Sequence, residues 1–429
     1  MRITLRKLIF WPHLISGIIA GIVIAIMSIT GVAIAFEHQI LDWADRESRQ
    51  VRVPAPDAAR LSIDELLTRV RAARPEAQPS GVTVYSEPDA AVLVSTGRSS
   101  GVYVNPYTGE VRDQGAQGWR RFFHVMEEWH RWLGAQGDNR AMGRAVTGVC
   151  NAAFLFLAIT GLYLWWPRKW TMKTVRPTLW FRGGLRGKAR DFNWHNVIGF
   201  WSLPVLIVLT ATGMVISYKW ASDLVFTLTG NTPPATQGPP TATPVKVPTP
   251  PEGARPLGLD ALFTEARKQA PAWDNISLRM GGGPRGNAPQ GQGPQGQGPR
   301  PGKGPGGGEA RGDGGPRALA FSIRETGAWP LFASTQVSLD PFTGQVLRRE
   351  TFADNNLGRR LRTWMRFLHT GEALGWMGQL VAALASLGSV LLVWTGFALS
   401  WRRFFPRRQA RASPSEEASA TSEQSEPTA

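Results

Sequence analysis

Cysteine is almost absent from this sequence. Cys150 is the one cysteine in 429 residues, which excludes a disulfide framework, a paired-cysteine redox motif and a cysteine-based zinc site. The sequence also lacks a glycine-rich nucleotide fingerprint between a predicted strand and a predicted helix. The chain therefore has no flavin or nicotinamide site of its own.

Acidic residues are also scarce. The chain has 32 of them and 48 lysines and arginines, which gives a net charge of +16. Such an excess suits either nucleic acid or a membrane surface, and its position along the chain decides between them. Four apolar segments are long enough to cross a bilayer, which takes about 20 residues. They are residues 8–36, 143–167, 194–218 and 373–401. We expect a lipid bilayer and no nucleic-acid partner.

The basic residues lie beside alternate ends of these spans. They precede the first span, fill the link 168–191 between the second and third, and begin the tail 402–429, which we predict to be disordered. By the positive-inside rule these three regions are cytoplasmic. The apolar run of the first span exceeds the core of a signal peptide, so we predict an uncleaved anchor. The expected topology is multi-pass, with both termini inside and two long loops outside.

The spans contain an internal repeat. The first begins "WPHLISG" and the third "NWHNVIG". When His13 is aligned with His195, Gly17 falls on Gly199, and Thr30-Gly31 falls on Thr212-Gly213. Matches at fixed offsets across a whole span indicate two related halves.

The outer loops repeat as well. "VYVNPYTGEV" (102–111) and "VSLDPFTGQV" (337–346) each alternate as strands around an Asn/Asp-Pro turn that ends in glycine, which predicts β-hairpins. A helix with apolar spacing precedes each hairpin. We predict two small α+β modules, over 58–115 and 257–352. The Gly/Pro-rich insert 281–315 has almost no apolar residues and is predicted to be disordered.

A helix that contains histidine follows each module, over 117–134 and 356–371, and leads into the second or fourth span. Those spans end in Thr160-Gly161 and Thr395-Gly396. The predicted fold is a mainly α membrane protein. It consists of a four-helix transmembrane bundle from two pseudo-symmetric halves, with two outer α+β modules.

Several of these motifs, in this order, resemble the PepSY-associated transmembrane family of bacterial inner-membrane proteins. They are "WPHLISG", "NWHNVIG", "NPYTG", "DPFTG", "WHRWLG", "TGLYLWWP" and "LHTGEALG". The resemblance covers nearly the whole chain except the insert and the acidic tail. It implies a bacterial inner-membrane location and two periplasmic PepSY modules. Better-studied relatives are haem-binding ferric-siderophore reductases induced by iron limitation.

Four histidines are candidate ligands for two b-type haems, because neutral imidazole binds haem iron and helical bundles can hold the cofactor. The repeat pairs His13 with His195 at the cytoplasmic side. His369 belongs to the outer side, where its partner is either His130 or His124. "RFFH" and "RFLH" align His124 with His369, whereas spacing to the next Thr-Gly pair favours His130. Positions six apart point about 120° from each other on a helix, so the two cannot share one face. Spacing and the "HRWLG" motif lead us to predict His130 as the ligand, with His124 as the alternative.

The remaining signals have alternative interpretations. The four Thr-Gly pairs lie at the expected depths of the opposite histidine layers, where glycine would let a porphyrin approach the backbone or would serve helix packing. We expect His38 on the surface, Cys150 in packing, and Glu127-Glu128 on a solvated helix face. Outer arginines are candidates for haem propionates or an anionic chelate, or for simple solvation: Arg131, Arg140, Arg359, Arg360 and Arg362.

These observations lead to three hypotheses. The first is di-haem electron transfer from a cytoplasmic donor to a periplasmic ferric, siderophore-type acceptor, which makes the protein a candidate oxidoreductase in iron acquisition. The second is a membrane-anchored PepSY protein that binds or regulates a partner without redox chemistry. The third keeps the haem and changes the periplasmic acceptor. The sequence does not separate the first from the third.

Overall fold

The structure is a computed structural model that describes residues 4–97, 100–167, 169–235, 245–250, 253–280 and 317–405. The insert 281–315 and most of the tail 402–429 lie outside these residues. The helices of the described part are α1 (Leu5–Ile34), α2 (Glu37–Ala44), α3 (Arg46–Arg49), α4 (Ile63–Ala73), α5 (Gln117–Trp132), α6 (Arg140–Trp165), α7 (Met172–Leu179), α8 (Gly187–Ser217), α9 (Lys219–Leu228), α10 (Leu259–Lys268), α11 (Leu357–Thr370) and α12 (Gly375–Phe404).

Four of these helices, α1, α6, α8 and α12, are long and apolar enough to cross a membrane, with mean hydropathy from 1.9 to 2.6 over their most apolar windows. They contain 26 to 31 residues, which corresponds to about 40–45 Å of helix, longer than a hydrocarbon core of about 30 Å. The protein is therefore a multi-pass membrane protein. Helix α8 begins seven residues before the predicted span and includes a charged first turn.

The four long helices form a closed bundle. Helix α1 packs against α6 and α12, and α8 packs against the same two helices, so α1 and α8 occupy opposite corners. Small and polar residues make the close contacts, as is usual between helices in lipid. The Ser389 hydroxyl bonds to that of Ser28, and Asn151 Nδ2 donates to the Thr210 carbonyl at 2.9 Å.

Among the described residues, the strands outside the helix bundle form one sheet. Its strands are β1 (Gly81–Tyr85), β2 (Val92–Ser95), β3 (Gly101–Val104), β4 (Val111–Asp113), β5 (Trp273–Arg279), β6 (Leu319–Glu325), β7 (Thr335–Leu339) and β8 (Val346–Glu350). The order is β4-β3-β2-β1-β5-β6-β7-β8, antiparallel throughout. The two predicted modules are therefore not separate bodies. They share a continuous ladder between β1 and β5, from Gly81↔Arg279 to Tyr85↔Asn275.

Alternation along the strands gives the sheet two different faces. One face buries Val82, Val94, Ile276 and Phe321 with the apolar sides of α4 and α10 in a single core. The other face is rich in hydroxyl groups, such as Thr83 and Ser277, which bond at 2.9 Å.

The two predicted hairpins are β3–β4 and β7–β8. Their turns are closed by Asn105 Oδ1, which accepts from the Tyr107 amide at 2.9 Å, and by Asp340 Oδ1, which accepts from the Phe342 amide at 2.8 Å. Gly109 and Gly344 leave the turns at φ 73° and 72°, a conformation that glycine adopts without steric cost.

Helices α5 and α11 connect the sheet to the bundle. Helix α5 packs against α1, α6 and α2, whereas α11 packs against α8, α9 and α12. Each is strongly amphipathic and ends within one turn of a residue with positive φ, Leu133 after α5 and Gly371 after α11. The chain then turns directly into the next span. This connection places the last turn of each helix, with its histidine, against the bundle.

Candidate functional site: two histidine layers

His130, on the last turn of α5, lies against the end of α1. Its Nδ1 is 2.9 Å from the Met27 carbonyl and 3.1 Å from the Thr30 hydroxyl. A carbonyl only accepts, so Nδ1 carries the proton and donates it. The Thr30 hydroxyl donates to the Ile26 carbonyl at 2.8 Å, which leaves its oxygen free to accept as well. In the neutral ring the lone pair is therefore on Nε2.

His369, on the last turn of α11, repeats this arrangement against α8. Its Nδ1 is 2.9 Å from the Leu209 carbonyl and 3.2 Å from the Thr212 hydroxyl. The Thr212 hydroxyl donates to the carbonyl of Val208 at 2.6 Å. The same tautomer follows, with the proton on Nδ1 and the lone pair on Nε2.

The other two histidines, near the starts of α1 and α8, use the two remaining Thr-Gly pairs. His13 Nδ1 on α1 lies 2.8 Å from the Thr160 hydroxyl of α6, and His195 Nδ1 on α8 lies 2.9 Å from the Thr395 hydroxyl of α12. Both threonines donate their own protons one turn back along their helices, at 2.7 and 2.8 Å. The hydroxyl oxygens therefore accept from the histidines.

Each histidine ring also lies over the glycine of the same pair. A Cβ added at Gly31, Gly161, Gly213 or Gly396 would lie 3.4, 3.5, 3.2 or 3.8 Å from the Cε1 of the histidine on the neighbouring helix. A side chain larger than alanine would displace the ring. The glycines thus lie at the depths expected from the sequence, and their direct contact is with imidazole.

The four histidines form two layers. His13 and Met27, which contacts His130, are about 20 Å apart along α1 at the helical rise of about 1.5 Å per residue. In the outer layer the rings of His130 and His369 have centroids 6.3 Å apart and planes inclined by 59°. In the other layer His13 and His195 occupy equivalent positions on α1 and α8, bonded to the Thr160 and Thr395 hydroxyls. The layers join opposite corners of the bundle.

His124, the alternative outer candidate, points elsewhere. Its side chain is 62% exposed, and its Nε2 lies 3.6 Å from Glu128. The structure thus brings His130, and not His124, beside His369. His38 is exposed as expected and lies 3.5 Å from Glu372.

Burial keeps the outer imidazoles neutral. It lowers the pKa of His130 to about 4, with a further contribution from His369, and it lowers the pKa of His369 as well. Desolvation penalises the charged form of a histidine. At neutral pH both rings therefore hold the Nδ1 proton alone, and among the described residues no side chain or backbone group bonds to Nε2 of any of the four histidines.

The outer arginines have protein partners. Arg131 pairs with Glu127 at 2.6 Å, and Arg140 pairs with Glu128 at 2.8 Å. Arg362 is buried and donates from Nε to the Ser222 hydroxyl at 3.1 Å. Glu128 is itself buried, so the expectation of a solvated Glu127-Glu128 face was wrong for Glu128, because Arg140 reaches back to it from the start of α6.

Residues 10–403 match the model of the family described as the PepSY-associated TM region. The chain belongs to this family. The match runs from α1 to the end of α12 and so includes both histidine layers. No curated protein matches the chain.

In this family member, the sequence did not reveal the acceptors that orient the rings. The Met27 and Leu209 carbonyls have no sequence signature, and the threonine hydroxyls were overlooked although the Thr-Gly repeat was visible. Asn151 was also missed, and its side chain lies beside Gly213 and His369. Asparagine inside a span is a polar signal that could have identified it.

The kinds of side chain at this site decide whether a bare metal ion or a haem could bind there. Within the described residues there is no group of three or more His, Cys, Asp or Glu side chains that could hold a bare metal ion. Haem iron takes four ligands from the porphyrin and needs only axial ones from the protein. His130 and His369, with ring centroids 6.3 Å apart, supply the kind of donor that such axial positions take.

Proposed function

We propose that this protein carries electrons across the bacterial inner membrane on two b-type haems, from a cytoplasmic donor to a periplasmic ferric complex of the siderophore type. His13 and His195 hold one haem, and His130 and His369 hold the other. Bound haem supplies a one-electron Fe(III)/Fe(II) couple at each depth. The observation that carries the proposal is the fourfold repetition of one contact, in which Thr-Gly on one helix orients histidine on the next.

The hydrogen bond that each Nδ1 atom donates supports haem ligation through Nε2. A ligating histidine usually donates its other ring N–H to a carbonyl or similar acceptor, which fixes the tautomer and makes the ligating nitrogen more basic. All four Nδ1 atoms have such acceptors here. A histidine that only packed at a helix interface would not require the same tautomer at four positions.

The ring separation in the outer layer also supports the proposal. The ring centroids of His130 and His369 lie 6.3 Å apart. Because a metal–imidazole bond is about 2 Å long, this separation would let both residues hold one haem iron without a large movement of α5 or α11.

The proposal includes a topology. The basic residues that lie beside one end of each span support a topology with both termini in the cytoplasm and the sheet in the periplasm. We also propose that α1, α5 and α6 are related to α8, α11 and α12 by a pseudo-twofold axis. The exchange of contacts supports it, since His130 bonds to α1 as His369 bonds to α8, and His13 bonds to α6 as His195 bonds to α12.

Vesicles that contain the purified protein test this function. A ferric trihydroxamate and a chromogenic ferrous chelator are enclosed in the lumen, and dithionite is added outside. We expect the ferrous complex to form inside at a rate set by the amount of protein. The matched controls are protein-free vesicles and the His13→Ala/His195→Ala variant, which should both remain near the background rate.

Three outcomes separate the hypotheses. Formation of the ferrous complex that depends on both histidine pairs supports the proposal. Rapid reduction of bound haem without formation of the ferrous complex would replace the ferric acceptor with another periplasmic one. Absence of both from a well-folded preparation would contradict electron transfer and favour a binding or regulatory protein.

A further inference from the structure

The two halves of the sheet differ in one hairpin connection. The β2–β3 connection reads "TGRSS" (96–100), whereas the β6–β7 connection reads "TGAWPLFAS" (326–334). The first is polar and short, as expected for a turn in water. The second contains three large apolar residues, Trp329, Leu331 and Phe332, that belong to no strand.

One of these residues fixes the connection to the histidine helix α11. The Phe332 ring stacks on Phe367 with centroids 4.2 Å apart and an interplanar angle of 5°, and it meets Trp364 edge to face at 5.0 Å. Phe367 lies two positions before His369. Pro330, two positions before Phe332, is buried. The connection is therefore packed in place and is not a loose loop.

The other two large residues remain largely exposed, although Trp329 also meets Trp364 edge to face at 6.1 Å. Trp329 is 69% exposed and Leu331 is 47% exposed. Aromatic packing of Phe332 would be satisfied with polar neighbours at both positions. Two large apolar side chains presented outward by a well-packed turn mark a contact with something apolar.

Their position shows what that contact is. Leu331 Cδ1 lies 3.4 Å from where a Cβ would stand on Gly375, the first residue of α12. Exposed apolar residues continue from Leu374, just before α12, along that helix into the span: Trp376, Met377, Leu380, Val381 and Leu384. The surface of the turn is thus continuous with the lipid-facing side of a transmembrane helix.

The charge next to the turn fits the same environment. Arg324, exposed at the end of β6, donates from Nη2 to the Leu331 carbonyl at 3.3 Å. Arginine beside tryptophan is the combination expected at headgroup depth, where the ring lies in the interface and the cation lies near phosphate.

We propose that the β6–β7 turn, residues 328–332, is a membrane contact that inserts Trp329 and Leu331 into the headgroup and acyl boundary of the leaflet beside the start of α12. The contact ties one half of the sheet to the bilayer. Through Phe332 and Phe367 it also supports the helix that carries His369. This inference does not depend on haem.

Spin labels in proteoliposomes test the proposal. The background is Cys150→Ala, which removes the one native cysteine. Nitroxides are attached in Trp329→Cys, in Leu331→Cys and, as the matched control, in Ser100→Cys on the β2–β3 turn. We expect the labels at 329 and 331 to collide more with oxygen than with a water-soluble nickel chelate, and the label at 100 to show the opposite.

Leu331→Cys keeps the tryptophan, so it tests the contact even if Trp329→Cys weakens it. Each variant must elute as a single species before labelling. Nickel access at 329 and 331 equal to that at 100 would overturn the proposal. Protection of both positions from oxygen and nickel together would also overturn it, because that result indicates a protein partner in place of lipid.

Discussion

At the scale of single residues, the candidate site depends on which acceptor holds each Nδ1. His130 and His369 each have a backbone carbonyl in addition to a threonine hydroxyl, whereas the Thr160 hydroxyl is the partner of His13. A carbonyl remains when a side chain is changed. The orientation of His13 is therefore more sensitive to mutation of its threonine than the orientation of His130 or His369.

Thr160→Val should lower the affinity for the haem proposed between His13 and His195, because it removes this acceptor at nearly constant volume. Loss of a partner that orients a metal-ligating histidine reduces metal affinity by about 10- to 100-fold. Thr30→Val is the matched control, and it should have a smaller effect because the Met27 carbonyl still accepts from His130. Haem titration of the two variants measures the difference. A larger loss for Thr30→Val would contradict the assigned hydrogen bonds.

The two outer candidates are separated by a second pair of variants. His130→Ala should remove one haem, since this ring lies beside His369, whereas His124→Ala should leave the haem content unchanged because its side chain is exposed and points to Glu128. The haem-to-protein ratio measures both. Loss of haem from His124→Ala with normal content in His130→Ala would reverse the assignment.

At the scale of secondary-structure elements, a buried ionic group connects the sheet to the histidine helix α5. Asp45, at the end of α2, accepts from the Tyr103 hydroxyl of β3 at 3.2 Å and pairs with Arg120 of α5. The Asp45 side chain is 3% exposed. Three elements therefore meet at one carboxylate.

Asp45→Ala should destabilise this junction strongly, because it leaves the Arg120 cation without its partner. Removal of one member of a buried pair costs about 3–5 kcal/mol. Asp42→Ala is the matched control, since that carboxylate is 72% exposed and 3.9 Å from Arg49, where a surface pair contributes at most about 1 kcal/mol. Thermal unfolding in detergent measures both. Equal shifts for the two variants would show that the junction is not structural.

Some of these elements could be predicted from the sequence and others could not. The spans, the hairpins and the His13/His195 pairing follow from apolar length, turn residues and a repeat, which are local or periodic signals. The joining of the two modules through β1 and β5 does not, because strand pairing between segments almost two hundred residues apart leaves no local pattern. Spacing to the next Thr-Gly pair and the "HRWLG" motif favoured His130 over His124 in the sequence, and the face of α5 that meets α1 decides between them.

At the scale of the whole molecule, one arrangement serves both ends of the bundle. Spans α1 and α8 each present a histidine near one end and a Thr-Gly pair near the other, so the same two helices take part in both layers. The separation of the layers, about 20 Å along the helix axis, covers most of a hydrocarbon core of about 30 Å.

The proposed orientation predicts which surfaces meet a reagent that cannot cross the membrane. In the Cys150→Ala background, Ser100→Cys on the sheet should react with an impermeant maleimide in spheroplasts. Thr171→Cys, next to α7, should react only after the membrane is opened. The reverse pattern would place the sheet in the cytoplasm and would contradict the positive-inside assignment.

The number of haems bound per chain tests the proposed di-haem function most directly. It is measured from the pyridine haemochrome of protein purified with haem supplied. We expect two haems in the wild type and one in each of two double variants, His13→Ala/His195→Ala and His130→Ala/His369→Ala. A folded wild-type preparation without haem would contradict it, as would the loss of both haems from the first variant alone.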